Sequence, residues 1–168
     1  MKTIIYSPGD PAGIGPDIFL SLMHEGFFEY IKANVVCMGD KELFHSRSKE
    51  LGYSLEINSF SNINDINEKV GFLEIIKCHD ISSGILNSIN SEYVIENLDF
   101  AIDTCVKKMG FGLVTGPISK ENIIEGGYSF SGHTERIMQK TNSDNVLMLL
   151  ASERLKVALA TTHMPISK

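Results

Sequence analysis

Four short segments of this 168-residue chain combine residue types that can bind an anion or a metal ion. The first is a loop rich in glycine and proline, residues 8–16, which follows an apolar run and precedes a helical pattern. Such a loop can bring backbone N–H groups and a helix N-terminus to a phosphate or a cofactor, with Gly13 and Gly15 as contacts. Its spacing is neither a Rossmann fingerprint nor a P-loop. Composition alone therefore favours a rigid turn that needs glycine for positive φ.

The second segment, TGPISK at residues 115–120, follows another predicted strand. Open α/β sheets bind their ligands beyond the C-terminal ends of the strands, so Lys120 could face an anionic substrate. The alternative is that Lys120 is a solvated lysine at the start of a helix.

The third and fourth segments each contain a histidine. In SGHTE, residues 131–135, His133 and Thr134 offer donors for a carboxylate or a phosphate. The alternative is that Thr134 caps a helix and His133 is an exposed loop residue. In TTHMP, residues 161–165, His163 directly follows a predicted strand, where an imidazole could bind a divalent metal. A single histidine is more often structural than a ligand.

Alternating strands and helices must position these segments, and this alternation predicts an α/β fold. Apolar runs predict strands at residues 3–7, 34–40, 111–115, 145–151 and 155–162, with weaker candidates at 55–60 and 72–76. The runs at 145–151 and 155–162 form either a hairpin-like pair or two adjacent strands. Helical spacing predicts helices at residues 17–23, 41–51, 92–108, 119–124 and 132–140. The remaining histidines, His24, His45 and His79, have no motif around them and are predicted to lie at the surface or in satisfied core positions.

Charge and composition exclude several classes of protein. The chain has 15 Lys and Arg against 21 Asp and Glu, a net charge of −6, which disfavours nucleic-acid binding. Its three cysteines are far apart, so we expect buried free thiols in a reducing cytosol rather than a disulfide scaffold. No apolar stretch approaches the ~20 residues of a membrane helix. We therefore expect a soluble, cytoplasmic protein.

Taken in order, the segments PGDPAGIGPDI, VTGPISKENI, SGHTE and VALATTHMPIS resemble the 4-hydroxythreonine-4-phosphate dehydrogenase family of vitamin B6 biosynthesis. The resemblance implies a two-domain fold similar to isocitrate and isopropylmalate dehydrogenases. It also implies NAD-dependent oxidation of 4-phosphohydroxy-L-threonine, followed by loss of CO₂ from the product. The resemblance further implies a divalent metal (Zn, Mg or Co) held by three histidines. It also implies a homodimer whose site lies near the subunit interface.

Carried over by position, the resemblance assigns His133 and Thr134 to substrate binding and His163 to the first metal ligand. The family's other metal ligands and substrate contacts fall beyond Lys168, so the chain resembles the N-terminal half. We expect residues 1–125 to form most of the first domain and 126–168 the start of the second, with an incomplete fold. A fragment, a truncated gene product or a second completing polypeptide would each explain this. Alternative functions are oxidation of a phosphorylated four-carbon sugar acid, or a non-catalytic truncated module.

Overall fold

The computed structural model describes residues 2–161, so His163 and the end of its motif lie outside the described residues. The chain divides into two compact units, Met1–Phe130 and Ser131–Lys168. No helix in the described part is long and apolar enough to span a membrane.

The first unit is a five-stranded parallel sheet with helices. Its strands are β1 (Lys2–Ser7), β2 (Ala33–Met38), β3 (Ser59–Phe60), β4 (Val70–Leu73) and β5 (Gly112–Thr115). Its helices are α1 (Gly15–His24), α2 (Lys41–Glu50), α3 (Ser91–Val106) and α4 (Lys120–Glu125), with 3₁₀ turns at Phe27–Tyr30, Ile63–Asp65 and Ser88–Asn90. The strand order is β3-β4-β2-β1-β5, and every pair is parallel. The α/β prediction is confirmed.

Apolar side chains fill both faces of this sheet, as parallel strands require. On one face, Ile5 of β1 packs with residues of β2, β4 and α3. On the other face, Phe19 of α1 is the centre of an aromatic cluster. It stacks on Tyr6 with ring centroids 5.0 Å apart and meets Phe72 edge-on at 5.6 Å. These two layers fix the position of β1, and with it the loop that follows.

The second unit contains α5 (His133–Thr141) and a hairpin of β6 (Met148–Ala151) and β7 (Lys156–Leu159). The strands pair antiparallel, with Met148 opposite Leu159 and Ala151 opposite Lys156. Of the two arrangements that the apolar runs allowed, a hairpin or adjacent strands, the structure has the hairpin.

The weaker strand predictions differ most from the structure. The run at 55–60 contributes only Ser59–Phe60 to the sheet. The run at 72–76 pairs as Val70–Leu73, earlier than predicted. Just after this strand, the Glu74 carboxylate accepts a hydrogen bond from the Lys41 N–H at 3.0 Å, at the start of α2.

The β1–α1 and β5–α4 connections touch at the C-terminal edge of the sheet. Gly9 has φ +79°, a conformation that favours glycine, which confirms the turn interpretation at that position. Gly15 has no positive φ, but a Cβ there would overlap the Pro8 carbonyl. The Asp10 N–H donates to the Pro117 carbonyl at 3.2 Å and joins the two connections directly. Glycine is thus required at position 15 by close backbone approach.

Gly15→Ala should destabilise the chain by about 1–3 kcal/mol, because the new methyl group would displace the Pro8 backbone. Gly112→Ala is the matched control: a Cβ at that position of β5 meets no atom within 4 Å. Urea denaturation of the two variants measures the difference. Equal stabilities for Gly15→Ala and Gly112→Ala would contradict the overlap.

Apolar surface remains uncovered in the part of the chain that the structure describes. Within residues 2–161, no strand pairs with the outer edge of β5, and Val114 is 50% exposed. Beside it lies a cavity of about 290 Å³ whose lining includes Ile4, Ile18, Leu22, Phe27, Ile31 and Val114. In the second unit, Leu149 and Leu150 of β6 are also exposed. Apolar surface of this extent is usually covered by another chain or segment.

The chain alone should therefore self-associate or unfold at a modest temperature. Sedimentation at several concentrations, combined with thermal unfolding, tests this expectation. A monodisperse monomer with one cooperative transition at high temperature would contradict it.

Candidate functional site

The strand order places a topological switch point between β1 and β5. The chain leaves β1 through α1 towards β2 on one side, and returns through α3 to β5 on the other side of β1. In open α/β sheets a crevice forms at such a point, outside the carboxyl ends of the strands, and ligands bind there. The β1–α1 and β5–α4 connections border this edge and carry three of the predicted contacts, Gly13, Gly15 and Lys120.

Asp10 lies at the centre of the edge and was not singled out by the sequence. Its side chain is 4% exposed, and Oδ1 accepts a hydrogen bond from the Ala12 N–H at 3.1 Å. Oδ2 accepts from Nδ2 of Asn122 at 3.4 Å, across the two connections. Burial raises the pKa of Asp10, and the hydrogen bonds from Ala12 and Asn122 partly oppose that effect. Because the folded chain holds the proton more tightly, ionisation of Asp10 costs folding stability as pH rises above the unfolded pKa of about 4.

Arg47 of α2 holds the same loop from the other side. Its side chain is almost completely buried, and Nη2 donates to the Pro11 carbonyl at 3.1 Å. Nη1 pairs with Oδ1 of Asp17 at 2.8 Å, and Nε lies 3.4 Å from Oε2 of Glu50. All three guanidinium nitrogens of Arg47 thus contact protein atoms, and these contacts join the loop to α1 and α2.

Tyr6 fixes the end of the loop. Its hydroxyl donates to the Gly15 carbonyl at 3.0 Å in a buried position. Burial, followed by the nearby Cys37, raises the pKa of Tyr6 to about 12, so the hydroxyl remains a donor at neutral pH. The Gly13 N–H already donates to the Asp10 carbonyl at 3.0 Å. Gly15 is the first residue of α1, where an N–H has no partner within the helix.

Lys120 is exposed and is the first residue of α4. Ser119 caps that helix by accepting a hydrogen bond from the Asn122 N–H at 3.3 Å. The hydrogen bonds that join Asp10 to Pro117 and to Asn122 bring the Lys120 turn and the glycine-rich loop to one edge of the sheet. The exposure of Lys120 is compatible with both of the interpretations given for it.

His133 and Thr134 occupy the first turn of α5, in the second unit, and both are partly buried. The alternative that Thr134 caps this helix is wrong, because the N-cap residue is Gly132 and no side chain caps the helix. The helix begins one residue before Thr134, so the threonine already has helical backbone.

A metal site is not present within the described residues. No group of three or more His, Cys, Asp or Glu side chains converges within residues 2–161. His24, His45 and His79 are exposed, as one of their two interpretations predicted. Catalytic metals generally have about three protein ligands, so residues 2–161 do not by themselves fit such a site.

The expectation of buried free thiols is met in full only by Cys37. All three cysteines are free; Cys37 is buried, whereas Cys78 and Cys105 are half-buried. Asp40, the N-cap of α2, accepts hydrogen bonds from the N–H of Cys78 at 3.2 Å and from its Sγ at 3.4 Å. Burial is the main cause that raises the pKa of the Cys78 thiol, with further contributions from Asp40. The Cys78 thiol therefore remains protonated at neutral pH and contacts the carboxylate that caps α2.

Comparison with known proteins identifies the family. A model of the family described as pyridoxal phosphate biosynthetic protein PdxA matches residues 31–168. The 4-hydroxythreonine-4-phosphate dehydrogenase of Sodalis glossinidius is 37% identical over 98% of this chain and 50% of its own length. That of Saccharophagus degradans is 37% identical over 97% of this chain and 48% of its own length. The chain thus spans about half the length of the curated relatives it matches.

Solved structures share the fold. The 4-hydroxythreonine-4-phosphate dehydrogenase of Klebsiella pneumoniae superimposes with a TM-score of 0.85 at 22% identity, over 99% of this chain and 53% of that one. The Burkholderia phymatum protein of the same name gives 0.83 at 23% identity, over 99% and 52%. The resemblance seen in the four sequence segments is confirmed by these findings: the chain belongs to the PdxA family of pyridoxal phosphate biosynthetic proteins.

Proposed function

We propose that this chain supplies the N-terminal half of a dehydrogenase that oxidises the secondary alcohol of 4-phosphohydroxy-L-threonine in pyridoxal 5'-phosphate biosynthesis. The observation that carries the proposal is 37% identity over 98% of the chain to a 4-hydroxythreonine-4-phosphate dehydrogenase. In that reaction the alcohol carbon loses a hydride and its oxygen a proton, which leaves a β-keto acid that can release CO₂. NAD, when bound, supplies the hydride acceptor.

The edge between β1 and β5 supplies the anion-binding part of this proposal. The N–H groups of Gly15 and Asp17 in the first turn of α1, where Pro16 has no N–H, and the exposed ammonium of Lys120 would attract the phosphate or carboxylate of the substrate. A net charge of −6 would repel such a substrate, so local positive potential is needed here. Gly13 would shape the turn and would not donate to the substrate, because its N–H already donates to the Asp10 carbonyl.

The first turn of α5 supplies a second group of donors. His133 and Thr134 would bind the substrate through the imidazole and the hydroxyl, both of which can donate to an oxyanion. Their place at the start of a nine-residue helix adds the favourable field of its N-terminus.

The metal part of the proposal rests on His163, which lies outside the described residues. His163 would be one ligand of a divalent ion such as Zn, Mg or Co that polarises the substrate oxygens. The remaining ligands must come from outside residues 2–161, because no suitable cluster occurs within them.

The proposed whole is a cytoplasmic homodimer with an isocitrate dehydrogenase-like two-domain fold. Residues 1–125 would form most of its first domain and residues 126–168 the start of its second. The uncovered edge of β5 and the exposed hairpin support this arrangement, since each requires additional protein to cover it.

A protein that contains this chain and the second half should form NADH from NAD and 4-phosphohydroxy-L-threonine when a divalent metal is present. The 168-residue chain alone should be inert, because its metal ligand set is incomplete. NADH absorbance measures both. A phosphorylated four-carbon sugar acid is the parallel substrate, and preference for it would identify the related dehydrogenase instead. No turnover of either substrate by the complete protein would contradict the proposal and favour a non-catalytic module.

Two histidine variants of the active protein should separate the two roles. His163→Ala should lower kcat by at least about a hundredfold, because it removes a metal ligand, while leaving the fold intact. His133→Ala should mainly raise the KM for the phosphorylated substrate, by about ten- to a hundredfold, because it removes a hydrogen bond to a charged group. Steady-state kinetics and calorimetric metal titration measure these effects. Tight stoichiometric metal binding by the chain alone would show that the assigned ligand set is wrong.

A further inference from the structure

The buried carboxylate of Asp10 has no part in the proposed chemistry, yet it touches both connections at the edge. It has no cationic partner among the residues that the structure describes. Burying an unpaired carboxylate costs folding free energy unless hydrogen bonds replace the lost water. Two hydrogen bonds offset part of that cost, and each of them holds a group at the edge.

The two carboxylate oxygens of Asp10 face different parts of the edge. Oδ1 accepts from Ala12 within its own loop at 3.1 Å, and Oδ2 accepts from the Asn122 amide of α4 at 3.4 Å. The Asp10 N–H adds a third bond, to the Pro117 carbonyl before α4 at 3.2 Å. Asp10 thus shapes one connection and ties it to the other.

Asn122 is itself anchored, so it cannot simply follow a shift of Asp10. The hydroxyl of Ser91, the first residue of α3, donates to the Asn122 carbonyl at 3.0 Å. The Asn122 N–H donates to Ser119 at 3.3 Å, and this cap defines the turn that carries Lys120. A series of hydrogen bonds therefore runs from α3 through the Lys120 turn to the glycine-rich loop.

We propose that Asp10 and Asn122 form a positioning pair that sets the spacing between the glycine-rich loop and the Lys120 turn. The inference rests on the proposed function for what the edge binds, namely the phosphate or carboxylate of an anionic substrate. The effect of the pair on the two connections does not depend on that ligand.

Exchange of the two side chains tests the pair. Asn122→Asp sets two carboxylates against each other and should speed amide hydrogen exchange at residues 12–15 and 119–122 by about tenfold, relative to exchange in β2. Asn122→Ala removes the donor without adding charge and should act in the same direction. The double variant Asp10→Asn, Asn122→Asp restores one amide facing one carboxylate, with the amide oxygen still able to accept from Ala12. Its exchange should return to within about twofold of the wild-type rates.

Asn97→Asp is the matched control. Asn97 of α3 is 1% exposed and donates to the Tyr93 carbonyl at 2.8 Å, away from the edge. A carboxylate there should lower global stability without selective loss of protection at the two connections. The proposal is overturned if Asn122→Asp and Asn122→Ala affect the connections no more than Asn97→Asp does. It is also overturned if the double variant folds without restoring protection.

Titration with inorganic phosphate supplies a readout that a purely structural pair would not move. The midpoint of the phosphate-induced amide shifts at Gly15 and Lys120 should rise at least about fivefold in Asn122→Ala and recover in the double variant. Loss of protection with an unchanged midpoint would show a structural tie and overturn the positioning role. If phosphate shifts no amide signal of the wild-type chain, that result would count against the proposed function. The amide hydrogen exchange of the variants would then decide whether Asp10 and Asn122 set the spacing between the glycine-rich loop and the Lys120 turn.

Discussion

The contact between the β1–α1 and β5–α4 connections is the constraint on which the rest of the edge depends. The Pro8 carbonyl lies where a side chain at position 15 would begin, and a Cβ at Gly116 would overlap the same carbonyl. Only a backbone without side chains at these points allows β1 and β5 to end side by side with their loops in contact. That contact brings Asp10 within reach of Asn122 and places the start of α1 beside the Lys120 turn.

Buried polar groups then hold this arrangement rigid. Tyr6, Asp10 and Arg47 each bond a backbone or side-chain atom of the glycine-rich loop, and Ser91 holds the start of α4. A fully hydrogen-bonded network of this kind specifies one geometry, although each buried charge is costly. Such an arrangement suits a binding edge, because a ligand that meets a preorganised loop does not have to order it.

The sequence predicted the elements well where the apolar pattern was continuous. β1, β2, β5 and helices α1 to α3 lie within about two residues of their predicted bounds, because their patterns match the faces they bury. It missed Arg47 and Asn122, whose burial depends on partners distant in sequence: Pro11 is 36 residues from Arg47, and Asp10 is 112 residues from Asn122. The short β3 was overestimated for a similar reason, since pairing with β4 and not local propensity sets its length.

Backbone amide shifts of the labelled chain, followed during titration with NAD and 4-phosphohydroxy-L-threonine, test most directly whether the β1–β5 edge binds ligands. Shifts should concentrate at residues 9–17 and 116–122. Amide signals at the opposite end of the same strands should not shift. At that end, Nζ of Lys2 lies 3.9 Å from the centroid of the Phe111 ring, and Lys2, Lys108 and Phe111 line a cavity. Shifts confined to that opposite end, or none at either connection at saturating ligand, would contradict the account.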